Sequence, residues 1–209
     1  MIIVMFGAPG VGKGTIADML VEKHKLEIIS ASGLLKKEVK KKTKTGKEIA
    51  DLMSKGQLVS SEIILPLIIK AIKSSKAKKI ILDGFPRNIE QAKLIEGKVK
   101  IDCVLDMMAP EKVIIQRLSG RRVCPKCNTI YHIINLPPKK KDICDKDGTK
   151  LLHRNDDQPK VIKERLKVYK KETLPLEKFF AKQKLIKEID SSDNPKSILK
   201  RTEKALGLK

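Results

Sequence analysis

The sequence contains no tryptophan and few other aromatic residues. Four phenylalanines and two tyrosines make up 3% of its 209 residues. Proteins that bind single-stranded nucleic acid usually stack bases on aromatic side chains, so this composition disfavours that class of function. We expect no nucleic-acid partner.

Long apolar runs are also missing. The longest, at 63–69, is interrupted by Pro66 and is far shorter than the roughly 20 residues that span a bilayer. The N-terminal MIIVMFGAPG lacks the basic region and small-residue cleavage site of a signal peptide. It predicts instead a buried strand that runs into a turn. We therefore expect no membrane partner and a cytoplasmic location.

Acidic residues are scarce relative to basic ones. The chain has 25 Asp and Glu against 46 Lys and Arg, a formal net charge of +21. This excess indicates anionic partners, which could be nucleotides, nucleic acid or acidic membranes. Much of it lies in lysine runs such as KKEVKKKTK and KAKK, which are typical of solvated helix faces.

Apolar strand patterns alternate with helical ones along the chain. Strands are predicted at 2–6, 78–83, 103–108 and 184–190, and helices at 15–24, 88–96, 110–118, 159–180 and 195–206. This alternation predicts an α/β fold with a doubly wound parallel sheet. Pro66 and Pro175 fall inside helical patterns, where we expect a kink or break. Two segments, 30–59 and 121–158, do not fit the alternation and are predicted to be inserts, the first a pair of helices joined at KTKTGKE.

The stretch GAPGVGKGT at 7–15 follows a predicted strand and precedes a predicted helix. This is the setting of a G-x-x-x-x-G-K phosphate loop, whose glycines let successive backbone N–H groups surround an anion. We expect Lys13 to reach the β- and γ-phosphates, with the helix N-terminus adding partial positive charge. The usual motif ends in Gly-Lys-Ser/Thr, whereas here Gly14 separates Lys13 from Thr15.

An aspartate ends the predicted strand in IILDGFPRN at 80–88. A carboxylate at a strand tip beside a phosphate loop can orient Mg²⁺ or its bound waters. On its own Asp83 could equally be a helix cap or a turn residue, but together with the loop it is a candidate for magnesium binding through water.

Four motifs occur in the order and spacing found in adenylate kinases: GAPGVGKGT, DGFPR, GRR and RNDDQ. Over essentially its full length the chain resembles a long-lid adenylate kinase of the nucleoside monophosphate kinase family. The resemblance implies a P-loop NTPase fold with a five-stranded parallel sheet, and reversible phosphoryl transfer from Mg·ATP to AMP that gives two ADP. It implies a core of 1–29, 60–120 and 159–209, a helical monophosphate-binding insert at 30–59 and a zinc-ribbon-like lid at 121–158. A monomer is also expected.

The resemblance also implies roles for individual residues. The cations implied to surround the phosphates are Lys13, Arg87, Arg121, Arg154 and Arg165. The implied ATP-binding residues are Gly10, Val11, Gly12, Lys13, Gly14, Thr15, Arg117 and Arg121, with Arg117 packed on the base. The implied AMP-binding residues are Ala31, Lys36, Gln57, Leu58, Val59, Gly84, Arg87, Gln91, Arg154 and Arg165. Arginine suits phosphate sites because its planar fork binds two oxygens at once.

The cysteines form two ligand pairs in the predicted lid. Cys124-x2-Cys127 and Cys144-x2-Asp147 are separated by sixteen residues, a spacing typical of zinc ribbons. Long-lid adenylate kinases often carry a zinc site with aspartate as the fourth ligand, which implies Asp147. Asp145, His132 and His153 are alternative fourth ligands, and a lid without metal is the remaining alternative. We expect the zinc to be structural, and Cys103 to be a core residue.

The acceptor segment ISASGLLKK at 29–37 departs from the family pattern, which has Ser-Thr-Gly-Asp followed by arginine. Ala31 lacks the hydroxyl that usually touches adenine and is a feature of UMP/CMP kinases, and Lys36 lacks the arginine fork. Gln91, in contrast, stands where adenylate kinases bind adenine. We expect AMP as acceptor, with UMP or CMP as the alternative, and either ATP or GTP as donor. An RNA- or ribosome-associated ATPase, or a nucleotide sensor, is disfavoured by DGFPR and the full set of cations.

Overall fold

A five-stranded parallel sheet lies at the centre of the computed structural model, which describes residues 1–208. The strands are β1 (Ile2–Phe6), β2 (Glu27–Ser30), β3 (Ile80–Asp83), β4 (Cys103–Met108), β5 (Arg121–Val123), β6 (Ile130–His132) and β7 (Ile186–Asp190). The central sheet has the order β2-β3-β1-β4-β7, and β5 pairs with β6 in a separate antiparallel ribbon. The predicted fold, a doubly wound P-loop α/β sheet with five strands, is confirmed.

Helices connect the strands and cover both faces of the sheet. They are α1 (Lys13–His24), α2 (Ala31–Lys40), α3 (Lys44–Ser54), α4 (Ser61–Ser74), α5 (Ile89–Ile95), α6 (Glu111–Gly120), α7 (Pro159–Val168), α8 (Leu176–Lys182) and α9 (Pro195–Leu206). A short 3₁₀ turn, Asn155–Asp157, precedes α7, and a π-helical turn, Tyr169–Thr173, follows it. None of the helices within residues 1–208 combines the length and apolar character that a membrane crossing needs.

The central strand β1 is buried on both sides. Val4 and Phe6 belong to the hydrophobic cluster on one face of the sheet, and Ile3 and Met5 to the cluster on the other. Such strands consist almost entirely of apolar residues because a parallel sheet has helices on both faces. All five strands end at the same edge, where the phosphate loop follows β1 directly.

Both predicted inserts fold close to that edge. The segment 30–59 contains α2 and α3, which pack against each other. The segment 121–158 contains the ribbon of β5 and β6 and lies over the phosphate loop, since a Cβ atom placed on Gly14 would lie 3.5 Å from Ile130 Cδ1. A Cβ atom on Gly56, just after α3, would lie 2.8 Å from Arg165 Cγ on α7. The structure therefore describes a closed arrangement.

The local predictions have mixed outcomes. Helix α4 continues through Pro66, so it does not break there, and a kink at this position stays a prediction. Pro66 is exposed, so water can satisfy the carbonyl group that the proline leaves unpaired. The break predicted at Pro175 is confirmed, since α8 begins only at Leu176, but the π-turn that also interrupts the predicted helix at 159–180 was not predicted. Strand β2 was not predicted, because it is short and begins with an exposed glutamate. The predicted junction KTKTGKE lies mostly inside α3, which begins at Lys44.

Candidate active site

A large cavity opens at the carboxyl edge of the sheet, between the phosphate loop, the α2–α3 insert and the lid. Its volume is about 1230 Å³, larger than the roughly 300–1,000 Å³ of typical ligand pockets. The cations predicted to surround the phosphates all line it: Lys13, Arg87, Arg121, Arg154 and Arg165. The cavity therefore unites residues that are far apart in the sequence.

The phosphate loop needs glycine for two different reasons. Gly7, Gly10 and Gly12 have φ values of 130°, 84° and 114°, a backbone conformation that residues with side chains rarely adopt. Space is also restricted, since a Cβ atom on Gly7 would lie 2.3 Å from the carbonyl oxygen of Met107. Gly12 is the N-cap of α1, and the first residues of that helix line the cavity. Their backbone N–H groups can therefore bind an anion there.

Lys13 lies half-buried at the base of the loop. Its Nζ donates hydrogen bonds to the carbonyl oxygens of Gly7 and Ala8, at 2.7 and 2.9 Å. Burial lowers the pKa of Lys13 to about 8, and the nearby carboxylate of Asp83 partly offsets this effect. The ammonium group thus lies in a low-dielectric site, where a phosphate would stabilise its charge.

Two adjacent aspartates hold three of the arginines. Asp157, on the 3₁₀ turn, accepts a hydrogen bond from Arg121 Nε at 2.7 Å, and Asp156 accepts one from Arg154 Nε at 2.8 Å. Arg165 Nη1 lies between them, 3.0 Å from Asp156 and 3.3 Å from Asp157. Although burial opposes it, the hydrogen bond from Arg154 and the charge of Arg165 keep the pKa of Asp156 below its ordinary value. The pair therefore fixes the three guanidinium groups in one region of the cavity.

Arg87 is held by contacts to both its side chain and its backbone. Its Nε donates to the carbonyl oxygen of Gly84 at 2.9 Å, and its backbone N–H donates to Gln91 Oε1 at 2.8 Å. Its carbonyl oxygen accepts a hydrogen bond from the hydroxyl of Thr173 at 2.7 Å. The Arg87 side chain is exposed toward the cavity, where desolvation by the surrounding protein lowers the pKa of its guanidinium group, and an anionic ligand can reach it.

The predicted metal ligands converge in the lid. One ligand atom each from Cys124, Cys127, Cys144 and Asp147 lies within 4.8 Å of all the others. The Sγ atoms of Cys127 and Cys144 are 3.5 Å apart, and Cys124 Sγ is 3.3 Å from an Asp147 oxygen. Tetrahedral zinc with Zn–S bonds of about 2.3 Å requires ligand atoms about 3.8 Å apart, so this set fits zinc.

The alternative fourth ligands lie outside this cluster. Asp145 accepts a hydrogen bond from the backbone N–H of Lys139, and His132 Nδ1 accepts from Ile134 and Asn135. His153 is not part of the group of four. Among the residues that the structure describes, Asp147 is therefore the carboxylate that completes the set of three cysteines.

Comparison with known proteins agrees with this geometry. The family model described as "Adenylate kinase" matches residues 5–185. The adenylate kinase of Staphylococcus aureus (strain Mu50 / ATCC 700699) is 38% identical over 206 residues, which cover 96% of each chain. That of Staphylococcus epidermidis (strain ATCC 12228 / FDA PCI 1200) is 39% identical over 198 residues, or 92% of each chain.

The chain belongs to the adenylate kinase family. It is therefore a nucleoside monophosphate kinase, an enzyme that transfers a phosphoryl group. The match extends across the phosphate loop, the α2–α3 insert, the lid and α7. All the motifs on which the resemblance rests lie within the matched residues.

In this member of the adenylate kinase family, only some of the predicted acceptor residues reach the cavity surface. Lys36, Gln57, Leu58 and Gly84 line it. Ala31, Val59 and Gln91 are buried behind its wall, with exposed fractions of 3%, 7% and 3%. A Cβ atom on Gly84 would lie 3.8 Å from Ala31 Cβ. The side chain of Gln91 supports Arg87, and its predicted contact with the base stays a prediction.

Arg117 joins the phosphate loop to the segment after β7. Its Nη1 donates to the carbonyl oxygens of Val11 and Ser191, at 2.9 and 2.7 Å, and its Nη2 donates to that of Asp193 at 2.8 Å. Val11 is completely buried, so it can offer a ligand only its backbone. The neighbouring cavity residues Ile130, Asn135 and Asn194 were not predicted. Asn194 has a recognisable signal as the N-cap of α9 before Pro195, but that signal indicates a helix start and not a ligand.

Tyr131 connects the metal ligands with the cavity wall. It lines the cavity and is 5% exposed. Its hydroxyl oxygen accepts a hydrogen bond from the backbone N–H of Asp145 at 2.8 Å and lies 3.5 Å from Cys144 Sγ. The hydroxyl hydrogen is thus available to the sulfur, as is common for groups that support metal ligands.

Proposed function

We propose that the protein is an adenylate kinase that transfers the γ-phosphoryl group of Mg·ATP reversibly to AMP, giving two ADP. The observation that carries this proposal is the convergence of Lys13 and four arginines on one cavity. Phosphoryl transfer needs little covalent chemistry from the protein. Its rate depends on alignment of the two phosphates and on stabilisation of the charge that develops between them.

The transfer requires no added acid or base. A phosphate oxygen of AMP forms the new bond to the γ-phosphorus, and the bond from that phosphorus to the bridging oxygen breaks, leaving its electron pair on the β-phosphate of ADP. The N–H groups of the phosphate loop and Lys13 hold the donor phosphates. Arg87 and Arg165 bind the acceptor phosphate, while Arg121 and Arg154 stabilise the transferring group.

The site also contains suitable groups for Mg²⁺. Asp83 and Thr15 both line the cavity beside Lys13, and carboxylate and hydroxyl oxygens are the donors that Mg²⁺ prefers. Asp83 would hold the ion through its bound waters. When bound with ATP, the ion neutralises charge on the β- and γ-phosphates.

The zinc site has a structural role in this proposal. The lid at 121–158 has a small core of Cys124, Tyr131, Cys144 and Leu151, which buries little apolar surface. A metal held by Cys124, Cys127, Cys144 and Asp147 would supply the missing stability. The core at 1–29, 60–120 and 159–209 carries the phosphate loop, and the insert at 30–59 binds the acceptor. Because one chain supplies all the catalytic cations, a monomer is sufficient for the reaction. Its proposed substrates are ATP, AMP and ADP, and its proposed location is the cytoplasm.

One observation favours a second candidate acceptor. Ala31 offers no hydroxyl, and Gln91 Oε1 is already engaged by the backbone of Arg87. A smaller base such as that of UMP or CMP would depend less on these two contacts. AMP remains the first choice because Gln91 still occupies the position expected for adenine recognition.

The test is diphosphate formation by purified protein with Mg·ATP or Mg·GTP as donor. AMP, UMP, CMP and GMP are compared as acceptors, with a control that lacks acceptor. We expect a strong preference for AMP. Arg165→Met should abolish most of the transfer, whereas Lys163→Met, on the exposed side of the same helix, should not. A preference for UMP or CMP would replace the acceptor assignment, and turnover only without acceptor would overturn the proposal.

A further inference from the structure

The helix that carries Arg165 does not continue regularly toward α8. Tyr169–Thr173 forms a π-helical turn, in which the backbone N–H of Leu174 donates to the carbonyl oxygen of Tyr169 at 2.8 Å. Such turns are rare and are frequently found at functional sites. The phosphoryl-transfer scheme above assigns no role to this segment.

The π-turn changes the direction in which Thr173 points. One additional residue in a helical turn rotates the side chains after it by about 100°. Thr173 therefore faces the loop after β3, where its hydroxyl donates to the carbonyl oxygen of Arg87 at 2.7 Å. Thr173 is 8% exposed, so water has little access to replace this hydrogen bond.

The hydroxyl completes a clamp on the backbone of Arg87. Gln91 Oε1 accepts a hydrogen bond from the backbone N–H of Arg87, and the hydroxyl of Thr173 donates one to the carbonyl oxygen of Arg87. Gly84 accepts from the side chain at 2.9 Å. With the peptide groups on both sides of its Cα held, the guanidinium group has a defined starting direction.

We propose that Thr173 is a positioning residue for the acceptor phosphate, acting through the backbone of Arg87. The proposal rests on the proposed function, because Arg87 is there assigned to that phosphate. The same segment begins at Tyr169, one turn after Arg165, and the ring of Tyr169 lies 6.0 Å from that of Phe6. The π-turn thus lies between Arg165, on the helix before it, and the contact of Thr173 with Arg87. Loss of that contact should impair use of the acceptor and not of the donor.

The test compares Thr173→Val, which removes the hydroxyl and keeps the shape, with Thr173→Ser, which keeps the hydroxyl. Thr202→Val is the matched control: Thr202 is fully buried, and its hydroxyl donates to the carbonyl oxygen of Ile198 at 2.9 Å within α9. We expect Thr173→Val to lower kcat/KM for AMP roughly tenfold and to leave KM for ATP unchanged. Thr173→Ser should restore most of the loss, and Thr202→Val should change neither KM.

A readout without substrate separates this proposal from the proposed function. Amide hydrogen exchange in the peptide 84–91 should become faster in Thr173→Val and stay unchanged in Thr202→Val. Unchanged exchange there, or equal changes in the KM values for AMP and ATP, would overturn the positioning role. If the wild-type protein transferred phosphate to no monophosphate, the proposed function would fail, while the exchange result would still decide whether Thr173 holds Arg87.

Discussion

Asp106 is the residue whose chemistry fits least well with its surroundings. It lies in β4 beside Phe6 of β1, with an exposed fraction of 2%. Its Oδ1 atom has no hydrogen-bond partner within residues 1–208. Burial raises the pKa of this carboxyl to about 6, and the charges of Glu177 and Glu188 add to the effect. Around neutral pH the fold thus contains a buried carboxylate that lacks full compensation.

We expect Asp106→Asn to stabilise the protein at pH 8 by about 1–2 kcal/mol. The Asp106 carboxyl binds its proton more tightly in the folded protein than in the unfolded chain. The free energy of unfolding of the wild type therefore decreases as pH rises from about 4 to about 6. The amide has the same shape and no charge to lose. Urea unfolding at pH 4 and pH 8 measures the difference, which should be small at pH 4. Equal differences at both pH values would show that ionisation of Asp106 is not the cause.

At the residue scale, the sequence indicated which side chains meet where a motif sets their spacing. One cavity is lined by all five cations of the motifs, Lys13, Arg87, Arg121, Arg154 and Arg165, and their roles at the phosphates stay predictions. The burial of Gln91 could not be predicted, since nothing in DGFPRN indicates that its amide oxygen pairs with a backbone N–H. The unpaired Asp106 was equally hidden, because a strand sequence does not show what covers it.

At the element scale, the junction between α6 and the lid depends on one glycine. A Cβ atom on Gly120 would lie 2.3 Å from His132 Nε2. The imidazole cannot move away freely, because its Nδ1 accepts hydrogen bonds from the backbone N–H groups of Ile134 and Asn135 at 3.1 and 3.0 Å. The glycine of the GRR motif therefore makes room for the ring that shapes the turn after β6.

Gly120→Ala should destabilise the protein by about 1–3 kcal/mol, the usual cost of an overpacked site. His132→Ala should also destabilise it, because two backbone donors lose their acceptor. In the double variant the two effects should be less than additive, since the alanine at 120 no longer meets a ring. Thermal unfolding of the four proteins gives the coupling. Strict additivity would contradict the steric explanation.

A complete helix or strand could be predicted where the same apolar pattern extends over all of its residues. The strands β1, β3, β4 and β7 were located because their apolar runs are bounded by turn or helix signals. Strand β2 is too short for such a signal, and its pairing with β3 depends on a neighbour that is distant in sequence. The π-turn at Tyr169–Thr173 could not be read at all, because a single extra residue leaves the apolar pattern of a helix almost intact.

At the scale of the whole molecule, the closed arrangement depends on a lid with little core of its own. The ribbon of β5 and β6 reaches the phosphate loop through Ile130 and carries Arg121 toward Asp157. The proposed metal site of three cysteines and Asp147 would hold the shape of the lid. Tyr131 connects that site to the cavity wall, because its hydroxyl contacts Cys144 and its side chain lines the cavity. Loss of the metal would therefore affect both the stability of the lid and the surface that it presents to the nucleotide.

We expect removal of zinc by a chelator to lower the melting temperature and to weaken ATP binding. Asp147→Asn should release zinc more readily than the wild type and should already melt at a lower temperature. Asp145→Asn is the matched control, because Asp145 lies two residues away and binds the backbone of Lys139. Metal release followed with a colorimetric chelator, together with thermal unfolding, measures both effects. Greater loss of zinc from Asp145→Asn would reverse the ligand assignment, and an unchanged melting temperature after chelation would exclude a structural role, because the lid would then be stable without the ion.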